Sequence, residues 1–386
     1  MQRIAILHSG NLKDVSPGGV SEYVKQFIEH STSEVFVLGT DNKQNNLKLF
    51  KKYKIQTDHS SYTFIPINYT TLRPLSVFYF INLIVFFILN PRFLKKISVF
   101  YAQRMEYVIP FLLFNKQVVM AIHGSGRYAT MFWGKTVASI YSFLERISIV
   151  RSNKVFVLNN NKKFGTPYYK SKFYKQKDKI FYMPVPVNRD VFKPLDKATV
   201  RKKHNIGFDD KIILYLGRID HNPKRVLLFP QILLNVKQVT SNTKMLIIGT
   251  GNDKDELIRE FDNLGLKNNV IFYEYLEHGN DLVELINCAE VSIITSSFEG
   301  ICMSALESLS CGIPVVATDV GSISEYLLNG INGFVVSGDG DELIVQEVSE
   351  KIDEVFSGLL AFDHTLIDRY NANEVMLNTE KLLLNR

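Results

Sequence analysis

The segment from Ser296 to Glu307 combines two carboxylates with the predicted start of a helix. It reads Ser-Ser-Phe-Glu-Gly-Ile-Cys-Met-Ser-Ala-Leu-Glu, so Glu299 lies in a loop and Glu307 lies about two turns into the helix. The first backbone N–H groups of a helix lack intrahelical partners and lie at the positive end of its dipole. Here they belong to Ile301, Cys302, Met303 and Ser304. The segment therefore predicts a site for a phosphate, or for a sugar whose hydroxyls bind the carboxylates.

The spacing of Glu299 and Glu307 does not suit a glycosidase pair. If both were helical, they would be about 12 Å apart along the helix axis. The carboxyls of a retaining glycosidase are separated by only about 5 Å. We expect groups that bind hydroxyls rather than an acid and a nucleophile.

Two cations follow a strand-like run at 212–217. Arg218 comes directly after Gly217, and Lys224 opens the next helical pattern. A guanidinium and an ammonium that converge on one cleft can neutralise a diphosphate. Ordinary surface charge is the alternative interpretation of the same residues.

Glycines and a histidine also follow predicted strands. Gly18 and Gly19 precede a helix, which allows an anion to bind there, although a turn is the simpler alternative. Gly249-Thr-Gly251 is typical of a tight turn. His123 ends the run VVMAIH and is a candidate site residue at a strand end.

The sequence contains no motif that predicts a metal or a dinucleotide cofactor. Neither GxGxxG, HExxH, an EF-hand loop nor a Walker A motif is found. Asp339-Gly-Asp341 has the form of a metal-binding DxD motif. It follows GFVVSG and precedes a helix, so we expect a turn and an N-cap.

Short, continuous apolar runs alternate with helical patterns along the whole chain. Such runs indicate parallel sheets that are covered on both faces by helices. The 386 residues suit two domains, and prolines mark a hinge at 184–194. One of the helical patterns in the second half is predicted to begin at Ser322. The pattern indicates two Rossmann-like α/β domains with parallel sheets that face a central cleft, with ligands beyond the carboxyl ends of the strands.

Charge is distributed unevenly between the two halves. Residues 1–190 contain 27 Lys and Arg against 10 Asp and Glu, whereas residues 191–386 contain 18 against 29. Seven lysines lie among aromatic residues at 162–179, which is typical of either a solvated helix face or a membrane-binding surface. A fifteen-residue apolar run lies at 75–89. The apolar run is too short to span a bilayer as a helix, so a buried or membrane-lying helix is expected. The basic half favours an anionic membrane surface over nucleic acid, for which no motif is present.

Three cysteines without a CxxC spacing suit a reducing compartment. The N-terminal apolar run, Ile4 to Leu7, is too short for a signal peptide and predicts a first strand. We therefore expect a cytoplasmic protein at the inner face of the cell membrane.

Taken together, these features resemble glycosyltransferase family 4, which are retaining enzymes of the GT-B fold. Glu299 and Glu307 match the family's E-x7-E motif, and the run CGIPVVATDVGSISEYLLNGINGFVV matches its continuation. LGRID with Lys224 matches the Gly-Arg…Lys element. GGVSEYV and AIHG match the glycine-rich first loop and the histidine loop. Cys302 departs from the family's glycine in EGFGL, and its Cβ is expected either to narrow the donor pocket or to alter the approach of the backbone.

The resemblance implies an acceptor-binding domain over 1–188 and a sugar-nucleotide-binding domain over 189–365. A final helix, about 366–386, would pack back on the first domain. Catalytic roles would fall to His123, Arg218, Lys224 and Glu299. The donor would contact Gly18, Gly19, Gly249, residues 301–304 and Glu307, with Glu307 on the ribose.

The predicted activity is retaining transfer of a sugar from a nucleotide-sugar to a glycan or lipid-linked acceptor, in bacterial cell-surface polysaccharide synthesis. A UDP-sugar is favoured and a GDP-sugar is second. No cofactor or metal is expected, because fixed cations and helix N–H groups would stabilise the leaving diphosphate. The alternatives are a GT-B-fold sugar-nucleotide epimerase or hydrolase, and a non-catalytic polyanion-binding protein.

Overall fold

The computed structural model describes residues 2–385 apart from 11–18, 43–44, 58–59, 71–74, 124–133, 161, 163–164, 275, 277–278 and 300–301. The chain divides into two compact units. One consists of Met1–Pro186 with Ala372–Arg386, and the other of Val187–Asn371. Gly18 and Ile301, both predicted to bind the donor, lie outside the described residues.

The N-terminal unit is built on a sheet with the strand order β3-β4-β2-β1-β5-β6-β7-β8. Its strands are β1 (Arg3–Leu7), β2 (Glu34–Asp41), β3 (Tyr53–Gln56), β4 (Ser61–Tyr69), β5 (Val99–Ala102), β6 (Val118–Ile122), β7 (Lys154–Val157) and β8 (Ile180–Tyr182). Every residue of β5 and β6 is buried, which explains their continuous apolar sequence.

One strand departs from the predicted parallel arrangement. β3 pairs antiparallel with β4, with Tyr53 opposite Phe64 and Gln56 opposite Ser61. A short connection can join antiparallel neighbours, whereas parallel strands need a long crossover. The four residues between β3 and β4 are too few for a crossover, so this edge hairpin is antiparallel.

Helices cover the N-terminal sheet. They are α1 (Gly19–His30), α2 (Leu75–Leu89), α3 (Pro91–Lys96), α4 (Gly134–Arg151) and α5 (Thr166–Lys172), with 3-10 helices at Met105–Leu112 and Tyr174–Lys179. In α2, Tyr79, Leu83 and Phe86 are buried in the core, whereas Val77 and Ile88 are 50% and 63% exposed. In the described part of the chain, no helix has the length and apolarity needed to cross a bilayer.

The C-terminal helix (Ala372–Leu383) belongs to the N-terminal unit. Its Glu380 accepts hydrogen bonds from the backbone N–H of Thr32 at 2.8 Å and from the Thr32 hydroxyl at 3.1 Å. Lys154 Nζ donates to the carbonyl of Leu382 at 2.5 Å. These contacts attach the end of the chain to the loop before β2 and to the start of β7.

The C-terminal unit contains a fully parallel sheet with the order β11-β10-β9-β12-β13-β14. The strands are β9 (Lys211–Leu216), β10 (Thr243–Ile248), β11 (Val270–Tyr273), β12 (Val291–Ile294), β13 (Val315–Thr318) and β14 (Gly333–Val336). Its helices are α6 (Lys197–Lys203), α7 (His221–Lys224), α8 (Phe229–Val239), α9 (Lys254–Asn263), α10 (Asn280–Asn287), α11 (Met303–Ser310) and α12 (Asp341–Phe356). Short 3-10 helices lie at Val226–Leu228, Lys267–Asn269, Ile323–Glu325 and His364–Tyr370.

Two local predictions in this unit are wrong. The helix expected from Ser322 is only the 3-10 turn Ile323–Glu325, because the Asn332 side chain bonds the backbone of Tyr326 and Leu328 at 2.7 Å and holds a loop there. The expected aspartate N-cap of α12 is Gly340, with no side-chain cap. Asp341 lies in the first helical turn and pairs with Arg225 at 3.3 Å.

Two glycines allow the loops after β9 and β10 to meet backbone to backbone. A Cβ at Gly249 would lie 1.9 Å from the carbonyl oxygen of Gly217, and one at Gly251 would lie 2.1 Å from that of Ile219. Two backbone hydrogen bonds hold the loops together. Gly217 N donates to Ile248 O at 3.1 Å, and Ile219 N donates to Thr250 O at 2.9 Å. The structure therefore gives Gly249 a steric role that the sequence pattern did not reveal.

We expect Gly249→Ala to destabilise the C-terminal unit by at least about 3 kcal/mol, because overpacking adds to the cost of its positive φ. Urea denaturation measures this loss. Gly358→Ala is the control, since Gly358 also has positive φ but open space at Cβ, and we expect it to cost about 1 kcal/mol. Equal losses in the two variants would contradict the steric role.

Candidate functional site

The central strands of the C-terminal sheet form a switch point in chain direction. β9 pairs with β12, but the chain leaves β9 towards β10 on one side and leaves β12 towards β13 on the other. The loops after these strands run to opposite sides, and such a switch point is where open parallel sheets bind ligands. Arg218 and Lys224 follow β9, and Glu299 follows β12. The sheet order thus brings residues 75 positions apart to one place.

Lys224 and Glu299 form an ion pair at this point. Lys224 Nζ donates to Glu299 Oε1 at 2.5 Å, and the Ser296 hydroxyl donates to the same oxygen at 2.7 Å. The side chains of Lys224 and Glu299 are only 19% and 9% exposed. Because a charge this buried is costly without its partner, each residue holds the other in the site.

The loop after β12 is also bound to α7 through backbone groups. Ser297 N donates to Pro223 O at 2.8 Å, and the Thr295 hydroxyl donates to Lys224 O at 2.8 Å. Sequence reasoning missed these serine and threonine contacts. The signal was available, because Thr295, Ser296 and Ser297 separate an apolar strand from Glu299.

Arg218 has a different partner from Lys224. Its Nη1 donates to Asp220 Oδ2 at 2.5 Å, and its side chain is 55% exposed. Asp220 Oδ1 accepts from Asn252 N at 2.9 Å, which connects this carboxylate to the loop after β10. Arg218 therefore lies at the solvent-exposed side of the β9 loop, oriented by an aspartate that the sequence did not identify.

Helix α11 begins directly after the loop that carries Glu299. Cys302 occupies the N-cap position, where its carbonyl accepts from the Tyr326 hydroxyl at 3.2 Å. Burial raises the pKa of the Cys302 thiol to about 12, with a further contribution from the Glu299 charge. The thiol therefore stays protonated at neutral pH. Met303 and Ser304 are half-buried in the first turn.

Glu307 lies in the second turn of α11 and is 1% exposed. It is thus more deeply buried than Glu299, although both belong to the same sequence motif. A polar group inside a protein is retained at a cost in stability, which increases when the group is charged. Its position on α11 places Glu307 on the same helix as Met303 and Ser304.

A second polar cluster lies in the N-terminal unit, at the carboxyl ends of β1, β5 and β6. His8 follows β1, Gln103 follows β5 and His123 follows β6. His123 Nε2 lies 2.6 Å from Gln103 Oε1, and His8 Nε2 lies 3.2 Å from the Ser21 hydroxyl in α1. The Tyr23 ring packs edge-on against His123 at 5.1 Å between ring centroids. Gly19 is the first residue of α1, the helix that supplies Ser21 and Tyr23.

Both histidines are neutral at physiological pH. Burial, together with the neighbouring His8, lowers the pKa of His123 to about 3. Burial, with the Arg104 charge, lowers the pKa of His8 to about 4. Because an amide oxygen only accepts, His123 carries its proton on Nε2 and offers an acceptor at Nδ1. Among the described residues, Nδ1 of His123 is buried and has no hydrogen-bond partner.

Within the described residues, no group of histidines, cysteines and carboxylates has the arrangement of a metal site. The side chains that surround Lys224 and Arg218 are instead single carboxylates, each paired with one cation.

Comparison with known proteins supports the sequence interpretation. Residues 196–358 match the family model described as Glycosyl transferases group 1. D-inositol 3-phosphate glycosyltransferase from Mycobacterium tuberculosis is 30% identical over 157 residues, which cover 39% of this chain. The match covers 32% of that protein, so the chain spans about a third of the length of the curated relatives it matches.

Solved structures are similar along nearly the whole chain. Sucrose-phosphate synthase from Thermosynechococcus elongatus has a TM-score of 0.74 at 17% identity, covering 99% of this chain and 98% of that one. Anabaena HepE, solved in complex with UDP and glucose, has a TM-score of 0.70 at 14% identity and 99% coverage of both chains. At this identity the likeness concerns the fold, and it confirms the predicted GT-B fold. With the family model, it also confirms the predicted resemblance to the glycosyltransferases.

We expect Gln103→Glu to raise the pKa of His123 by at least about one unit, because a carboxylate beside Nε2 stabilises the imidazolium. NMR of a histidine-labelled sample, titrated from pH 3 to 7, measures the midpoint. In the control Gln103→Leu the pKa should stay low, while the nitrogen shifts should report a mixture of the two neutral tautomers. An unchanged titration in Gln103→Glu would contradict the contact.

Proposed function

We propose that this protein is a retaining glycosyltransferase that moves a sugar from a nucleotide-sugar to a glycan or lipid-linked acceptor. The match of residues 196–358 to the group 1 glycosyltransferases is the premise. The observation that carries the proposal is the Lys224–Glu299 pair, held at 2.5 Å beside the start of α11 at the switch point of the sheet. The Lys224 cation and the N–H groups at the start of α11 suit a diphosphate. The Glu299 carboxylate suits sugar hydroxyls.

The proposed chemistry depends on charge that develops at the donor. The bond between the anomeric carbon and the diphosphate oxygen breaks, which leaves negative charge on the diphosphate and positive charge on the sugar ring. Lys224, Arg218 and the N–H groups at the start of α11 stabilise the diphosphate. The acceptor oxygen bonds the anomeric carbon from the same face, and its proton passes to the leaving phosphate oxygen. Configuration is thereby retained without a metal.

The carboxylates have separate proposed roles. Glu299 accepts hydrogen bonds from donor-sugar hydroxyls and keeps Lys224 in position, which its present contact with Nζ supports. Glu307, buried on α11, accepts from the ribose hydroxyls. A UDP-sugar is the favoured donor and a GDP-sugar is second. The binding of UDP by the structurally similar HepE supports this order.

The neutral His123 cluster is proposed to bind hydroxyl groups. Its Nδ1 acceptor on a neutral imidazole is suited to a sugar O–H. The acceptor is proposed to be a glycan or lipid-linked glycan in bacterial cell-surface polysaccharide synthesis. The excess of basic residues in 1–190 supports a position at the inner face of the cell membrane, in peripheral contact with anionic lipid.

We expect one nucleotide class to raise the melting temperature in a metal-free panel of UDP, GDP, ADP and their sugars, because ligand binding stabilises the native state. Glu307→Gln should abolish that shift through loss of the ribose contact, and Glu342→Gln, at an exposed site on α12, is the matched control. If Glu307→Gln bound with unchanged affinity, the ribose role would be wrong. Release of free sugar without an acceptor would favour the hydrolase alternative.

We expect Arg218→Ala with Lys224→Ala to lower kcat by about 100-fold or more and to change donor affinity much less. The reason is that the diphosphate gains its charge mainly in the transition state. Steady-state kinetics with the donor identified by the nucleotide panel, together with calorimetric donor binding, separates the two effects. Lys237→Ala with Lys267→Ala, two basic residues outside the site, is the control. A loss confined to affinity would contradict the electrostatic role.

A further inference from the structure

A basic cavity lies in the N-terminal unit, at the edge of the sheet opposite to His123. Its volume is about 380 Å³, and it opens where β1, β2 and β4 begin. Five basic side chains and one carboxylate line it: Arg3, Lys52, Lys54, Arg92, Lys96 and Glu34. They come from two strand starts, the β3 segment and α3, so the charge is gathered by the fold and not by one run of sequence.

The cavity has more positive charge than the residues around it neutralise. Arg3 Nε pairs with Glu34 at 2.7 Å. Within the described residues, no ion pair involves Lys52, Lys54, Arg92 or Lys96. The wall is apolar, formed by Phe36, Phe93 and Ile97, and Lys52 Nζ lies 5.9 Å and 5.4 Å from the two ring centroids. Such a pocket suits a compact anion with several acceptor oxygens, the chemistry of a phosphoryl group.

Exposed apolar side chains border the same region. Ile88 and Leu89, at the end of α2, are 63% and 64% exposed, and the chain enters α3 two residues later. Leu112 and Leu113 are 55% and 70% exposed. Lys116 Nζ donates to Lys95 O at 3.3 Å, which places the segment 112–116 beside α3.

We propose that this cavity binds the phosphoryl head group of an anionic phospholipid, while the exposed side chains of α2 and 112–113 enter the membrane interface. Apolar residues surrounded by cations are the combination by which proteins bind anionic bilayers, because burial of apolar area adds to electrostatic attraction. A site for a soluble phosphate would not need the apolar border. The inference rests on the membrane position included in the proposed function, but it requires neither the donor site nor turnover.

The lysine-rich segment 162–179 is less suited to this role than the sequence suggested. Lys172 pairs with Glu145 at 2.7 Å, and Lys179 donates to the carbonyls of Val150 and Ser152 at 2.8 and 2.6 Å. These lysines contribute to the stability of the unit. Lys170 and Lys175 remain exposed and provide a matched charge control.

The test is sedimentation of the full-length protein with vesicles of phosphatidylglycerol and phosphatidylcholine, compared with vesicles of phosphatidylcholine alone. We expect binding only to the anionic vesicles. Arg92→Glu with Lys96→Glu should weaken that binding by at least about tenfold, since two attractive charges become repulsive. Lys170→Glu with Lys175→Glu changes the net charge equally and should retain most of the binding.

Ile88→Ser with Leu113→Ser tests the apolar border. It should weaken vesicle binding by about tenfold or more, because less apolar area is buried at the interface. A melting-temperature shift with inorganic phosphate, measured on the same variant, should be unchanged, since the cavity keeps its charges.

Three results would overturn the proposal. These are equal losses in the two charge variants, a larger loss in the 170 and 175 variant, or binding of inorganic phosphate in the cavity without binding to vesicles. Unfolding midpoints and nucleotide binding are measured for every variant. A variant that no longer binds vesicles but keeps its melting-temperature shift with nucleotide supports the lipid site. If the wild-type protein shows no shift with any nucleotide, that result counts against the donor proposal alone.

Discussion

The ion pair between Lys224 and Glu299 is the interaction on which the candidate site depends. Its two residues come from loops after neighbouring parallel strands, and both are largely withdrawn from water. Removal of either residue would leave a buried charge without a partner, which costs several kcal/mol. Ser296 and the backbone of Pro223 fix the same two loops. The strand order thus brings the two residues of the ion pair together, and the pair holds the loop from which α11 begins.

Residues that follow neighbouring parallel strands also meet in the N-terminal unit, where they form a chemically different cluster. There the side chains after β1, β5 and β6 are His8, Gln103 and His123, and burial keeps both imidazoles neutral. The C-terminal site holds its polar groups as charged pairs, whereas the N-terminal cluster holds them as neutral hydrogen-bonding groups. In the proposed transferase, the first suits a diphosphate and the second suits hydroxyls. One architecture thus supplies both environments through the residues that end its strands.

The basic residues of the first half have several different structural roles. Lys172 and Lys179 are used within the fold, and Lys154 fixes the C-terminal helix. Arg92 and Lys96 line a cavity at the strand starts, next to exposed leucines. A lysine that is bonded to a carbonyl of its own unit stabilises the fold, whereas a lysine that faces an open cavity can bind an anion. Net charge identifies a kind of partner, but only the location of each cation indicates a surface.

The sequence alone determined the fold class, because buried parallel strands need continuous apolar runs. Through local motifs it also selected Arg218, Lys224, Glu299 and Glu307 as candidate site residues. It did not determine contacts between distant segments. The antiparallel edge of β3, the loop held by Asn332, the bond from His123 to Gln103 and the close approach at Gly249 all depend on which strands become neighbours. Local patterns record burial and turn preference, which act over a few residues. Partners separated by tens of residues are decided only when the sheet assembles, so the tertiary structure alone could reveal the basic cavity and the positioning residues.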